Sequence, residues 1–289
     1  MFFLFITILQ NIIIASVFKL FTKYNVNILQ AVVVNYCVCV LTGIVFIGHS
    51  PFSSAGLHAE WLPWSVIMGS SFIPLFVLIA YCTKVDGITT TTIANKLSLA
   101  IPVLFSVFLY NEQLSALKVA GILLAFPAVY YTTRIKEAND KPQGLFLPAL
   151  LFLCSGLLDT FINYLQRRFL NNADVQAAYT IHVFATAAFI GIVTITILAL
   201  LKRTQLHWRN VVAGICLGIP NFFSIYFFIR FLNSGFMHSS AAIPVLNIGI
   251  LMASTLTAIL FFKEKLSSLR ILGLVLSVMA ILFIAYGDR

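Results

Sequence analysis

NEQLSALKVAG at residues 111–121 returns as KEKLSSLRILG at residues 263–273, and this echo decides how the chain is read. Glu, Leu, Ser, Leu and Gly recur at the same places, while Lys118 against Arg270 and Val119 against Ile271 are conservative exchanges. The matches continue outward. Asn95 aligns with Asn247 and Glu112 with Glu264 at an offset of 152 residues. Ile73-Pro74 aligns with Ile219-Pro220, Phe76 with Phe222 and Lys84 with Arg230 at an offset of 146. A duplicated chain is implied. If each copy holds five membrane-spanning helices, an odd number, the second copy threads the bilayer upside down relative to the first, the arrangement found in alternating-access carriers.

Composition excludes a water-soluble fold. Hydrophobic residues make up 61% of 289 and charged residues 9%, with a mean hydropathy of +1.01, where a soluble domain carries about 25% charge. A hydrocarbon core about 30 Å thick takes about 20 helical residues to cross, so the chain accommodates ten spans joined by short links. These are expected at 1–18, 28–48, 62–82, 88–110, 115–133, 144–166, 175–201, 208–231, 237–262 and 267–286. The first, apolar from the start and lacking a basic leader region, reads as a retained span rather than a cleaved signal. Helices are required because the long uninterrupted runs lack the alternation of a membrane barrel. The expected fold is an all-α membrane protein of ten transmembrane helices in two inverted five-helix repeats, residues 1–133 and 144–289, fused through the hydrophilic linker 134–143.

The net charge of +9 does not point to nucleic acid, because the 18 Lys and Arg lie mostly at the ends of apolar stretches, where headgroups are. Five cysteines lie inside apolar runs, and the Cys37/Cys39 pair has the wrong spacing for a metal site, so no metal or cofactor is expected. Trp61, Trp64 and Trp208 fall at span starts and read as interfacial anchors.

With ten spans in two halves and a short acidic turn between the fourth and fifth span of each, the chain resembles the EamA-like branch of the drug/metabolite transporter superfamily. Glu112, Leu114 and Gly121 carry the likeness in the first half and Glu264, Leu266 and Gly273 in the second. The usual Gly-Glu-Arg/Lys turn is altered at its first position in both copies and at its third in the first copy. The resemblance implies a transporter fold and the movement of small metabolites, among them amino acids, sugars and nucleotide-sugars. The first span has no glutamate of the kind small multidrug exporters of the superfamily use for proton antiport; protons stay open as the coupling ion.

Candidate site residues are polar side chains set too deep for lipid. Lys96, in the middle of the fourth span, has Ile248 as its repeat partner, so packing common to both halves does not explain it. A charge at the bilayer centre costs about 2.5–3.5 kcal/mol on insertion scales and faces a wet cavity or a partner. Asp159 belongs to a stripe with Ser155, Asn163 and Gln166 on one face of the sixth span. Asn95 joins Lys96 on the fourth span, and Asn247 lies in a stripe with Ser240 and Ser254 on the ninth. His182, with Tyr179 and Thr186, offers a proton carrier or substrate contact in the seventh. Glu112 and Glu264 are candidate gates on opposite faces or structural turn residues, each carboxylate expected to satisfy free amides in the first turn of the span that follows it.

These residues suggest a secondary carrier of small polar metabolites in a bacterial inner membrane, as a monomer or homodimer, with Lys96 for an anionic group, Asp159 for an ammonium and the asparagines for orientation. Zwitterions such as amino acids fit that pair. Two alternatives stand beside it. One is a non-transporting scaffold or receptor on a carrier fold; the other is an intramembrane enzyme using Asp159 and His182, disfavoured because no HExxH, Gly-x-Ser-x-Gly or paired-aspartate motif is present.

Overall fold

The structure is a computed structural model that describes residues 2–48, 52, 59–110, 115–133, 144–170, 173–232 and 239–287. Its elements are helices, with no strand among the described residues: α1 (Phe2–Lys23), α2 (Ile28–Ile47), α3 (Leu62–Leu97), α4 (Ala100–Tyr110), α5 (Ala116–Thr133), α6 (Phe146–Phe169), α7 (Ala173–Leu200), α8 (Trp208–Leu232), α9 (Ser239–Phe262) and α10 (Ser268–Tyr286). Among the described residues eight segments are long and apolar enough to cross a membrane, and Ala116–Tyr131 is a shorter apolar helix. Val45, Phe189, Leu260 and Phe261 stand exposed on outer faces. Such a surface is a liability in water and the required one in lipid. The chain is an all-α membrane protein.

The stretch expected to hold two spans and a link is helical on both sides of a kink, with Leu62–Phe105 forming one 44-residue apolar segment. Straight, it would reach about 66 Å, roughly twice a hydrocarbon core. It turns at Gly87, whose φ of 89° and ψ of 170° are non-helical. Only glycine adopts that backbone without strain, and an added Cβ would lie 2.8 Å from the Glu264 carboxylate. A second break, at Ser98 and Leu99, separates α3 from α4. Pro102 explains it, since a proline ring clashes with the carbonyl four residues earlier, here that of Ser98. Ile101 N donates to that carbonyl at 2.9 Å instead, and Ser98 Oγ donates to the Asn95 carbonyl at 2.6 Å.

Packing follows small residues where helices approach closely. α5 lies along α10, with Ala125, Ala128 and Ala280 fully buried between them. A Cβ on Gly121 would meet the Ala280 carbonyl at 2.8 Å, so this glycine sets how near the two backbones come. Both helices begin alike: Lys118 N donates to Ser115 Oγ at 3.2 Å and Arg270 N to Ser267 Oγ at 3.4 Å. Elsewhere α2 packs on α7 and α8, α1 on α8 and α9, α3 on α6 and α7, and α4 on α6. Trp208 is exposed at the start of α8, as an anchor should be, whereas Trp61 is buried against α7 because Tyr179 and His182 offer it aromatic edges. Glu112 and the expected linker 134–143 lie outside the described residues.

Candidate functional site

A cavity of about 450 Å³ runs through the bundle, walled by α1, α3, α4, α6, α8 and α9, with Phe184 from α7. Among the described residues, α2, α5 and α10 contribute nothing to it. Lys96, Asp159, Asn95, Asn163 and Asn247, five of the six residues expected to contact substrate, all line it. The breaks in α3 position two of them. The Ser98 turn forced by Pro102 lies directly after Asn95 and Lys96, and Ser98 Oγ reaches Asp159 Oδ2 at 3.4 Å. Asn95 Nδ2 donates to Ser155 Oγ at 3.0 Å, tying α3 to α6.

What the cavity leaves uncommitted matters most for chemistry. Among the described residues the Lys96 ammonium makes no hydrogen bond and no ion pair, although Asp159 is near enough to act on it through space. Asn163 and Asn247 likewise have no partner among those residues. An ammonium, a carboxylate and two carboxamides are thus presented to one space of small-molecule size. The side chains of Gln166 and Ser240 lie outside the described residues.

His182 is elsewhere. Its ring sits 4.8 Å from Phe52 and 5.1 Å from Trp61, its Nδ1 is 2.8 Å from the Ala178 carbonyl, and its Nε2 is buried with no partner among the described residues. It does not line the cavity.

Glu264 is a cap, but for another helix than the one expected. Ser267 already serves α10, and the carboxylate instead crosses to the kink in α3, where Oε1 accepts from Ile88 N at 2.9 Å and Oε2 from Thr89 Oγ1 at 3.4 Å. Lys19 Nζ of α1 lies 3.1 Å from the same Oε1. Three elements therefore meet on one side chain. Phe18, Thr83 and Thr91, the neighbours of this knot, line the adjoining end of the cavity.

Sequence reasoning missed six polar lining residues: Thr83 and Thr91 on either side of the α3 kink, and two close pairs, Thr7 with Asn11 on α1 and Asn221 with Ser224 on α8. Their spacings of four and three place each pair on one helix face, a signal present in the sequence. Asn11 Nδ2 donates to the Thr7 carbonyl at 2.9 Å and Asn221 Nδ2 to Asn35 Oδ1 at 3.2 Å.

No family model matches the chain. An uncharacterized protein of Haemophilus influenzae is 27% identical over 289 residues, covering 98% of this chain and 97% of that protein. A solved crystal structure is similar in fold over 98% of this chain and 96% of its own, with a TM-score of 0.54 at 17% identity.

Proposed function

We propose that this chain is a secondary transporter of small polar zwitterions, amino acids among them, working by alternating access in a bacterial inner membrane. The observation that carries the reading is the Lys96 ammonium, which has no partner among the described residues and shares with Asp159 a cavity inside an apolar bundle. An isolated charge at that depth is expensive unless water or a ligand meets it, and a carboxylate meets it best.

The pairing of helices supports ten spans in two inverted halves. Exchanging α1–α5 with α6–α10 turns the contact of α2 with α8 into that of α7 with α3, and α1 with α8 into α6 with α3. α1 with α9 becomes α6 with α4, while α5 with α10 and α2 with α7 map onto themselves. The matching serine caps of α5 and α10 agree with this scheme. In it the Lys19–Glu264–Ile88 knot is one gate, and Glu112, the repeat partner of Glu264, is the candidate for the other.

Counterflow in proteoliposomes tests the reading. Wild-type protein is expected to exchange at least one amino acid from a labelled panel, and Lys96→Met to lower that exchange about tenfold or more. A charged hydrogen bond is worth about 1.5–3 kcal/mol, or about 10–150-fold. No exchange with any zwitterion, or full exchange by Lys96→Met, would overturn it.

A further inference from the structure

Asp86 is a buried acid that the cavity chemistry leaves unused. It is the last residue before the Gly87 kink and only 2% exposed. Its Oδ2 accepts from Cys82 Sγ at 3.4 Å, a weak donor, and its Oδ1 is buried with no hydrogen-bond partner among the described residues. Among those residues the titratable groups that act on it are Cys82, on its own helix, and Arg270, which adds its charge from α10. Just beyond the kink, Glu264 from the turn before α10 and Lys19 from α1 are engaged with each other and with Ile88 N. The residue is one step from the cavity. Thr83 and Thr91 line the cavity end beside it, and Thr91 Oγ1, which donates to the Gly87 carbonyl at 2.8 Å, also lies against Cys82.

An ionised carboxylate with one bare oxygen and one thiol donor, removed from water, is a costly species, whereas a neutral carboxylic acid is not. A metal cation fits poorly, since no group of three His, Cys, Asp or Glu side chains occurs among the described residues. We propose that Asp86 is the proton-binding site that couples transport to a proton gradient. With the Gly87 end closed, Asp86 holds a proton. When the Lys19–Glu264 contact parts and water enters there, the proton leaves to that side, and Arg270 balances the carboxylate left behind. Once that end recloses, Asp86 regains a proton from water that enters the cavity from the opposite face, past Thr83 and Thr91, so one proton crosses per cycle and no other bond changes. The inference rests on the transporter reading above, and its test separates the two.

Reconstituted protein is measured in two ways. Infrared difference spectra between acid and alkaline pH need only the proton as probe: the wild type is expected to show the carbonyl stretch of a buried carboxylic acid that Asp86→Asn lacks. In proteoliposomes with a labelled mixture of the protein amino acids, the wild type is expected to accumulate label when a pH gradient is imposed. Asp86→Asn should lose that accumulation yet keep counterflow within about twofold of wild type. Asp86→Glu retains an acid and should retain accumulation, which decides the matter if Asp86→Asn does not fold. Identical infrared bands in wild type and Asp86→Asn, gradient-driven accumulation by Asp86→Asn, loss of accumulation by a folded Asp86→Glu, or accumulation that follows sodium instead of pH would each overturn the proposal. If the wild type exchanges nothing, the transporter reading fails, while the infrared result still decides whether Asp86 binds the proton.

Discussion

Lys96 and His182 are both polar side chains set deep in apolar helices, and the fold treats them in opposite ways. Lys96 faces a cavity with its ammonium uncommitted, beside Asp159 and two carboxamides that lack partners among the described residues. His182 is enclosed by Phe52 and Trp61, with Nδ1 on a carbonyl of its own helix. Depth alone therefore does not make a site. A charge held far from both headgroup layers needs a wet space, whereas an imidazole ring can be absorbed by aromatic edges and one local hydrogen bond.

The contrast can be broken or sharpened by substitution, beginning where the effect is largest. Lys96→Met is expected to cut amino-acid exchange about tenfold or more. Asn163→Ala and Asn247→Ala each remove one neutral hydrogen-bonding group, worth about 0.5–1.5 kcal/mol, and should lower exchange about two- to tenfold in the same counterflow assay. Glu264→Gln keeps an acceptor for Ile88 N but removes the attraction to Lys19, so transport should stay measurable while thiol labelling of a cysteine placed at Thr83 rises. Unchanged labelling there would mean that the ion pair does not close that end. His182→Phe should change exchange by less than about twofold and leave thermal stability in detergent at or above wild type, because the unpartnered Nε2 disappears. A loss of exchange comparable to that of Lys96→Met would erase the distinction between the two residues.

Much of the architecture was legible because apolar runs of about 20 residues have few alternatives. Lys96 and Asp159 were legible because charge is expensive at that depth. Other features depend on partners distant in sequence. Residues 83–87 read as a link because Lys84, Asp86 and Gly87 interrupt two apolar runs, yet the chain stays helical up to Gly87 and buries Asp86. Glu264 reads as a cap of the helix it precedes; Ser267 fills that role locally, and the reach of the carboxylate to Ile88 on α3 depends on packing between elements distant in sequence. Asn11 and Asn221 each share a helix face with a second polar residue, Thr7 and Ser224, yet that spacing alone does not say whether the face meets a neighbouring helix or a cavity.

The most direct test of the central claim, a site that opens to each face in turn, is accessibility at Asn247, which lines the cavity from the second half. Asn247→Cys is introduced after replacing the five native cysteines and labelled with a membrane-impermeant thiol reagent in vesicles of each orientation, with and without the amino acid that exchanges best. Labelling from both faces, slowed by that amino acid on each, is the predicted result. Labelling from one face only under every condition, or none from either, would contradict alternating access around this cavity.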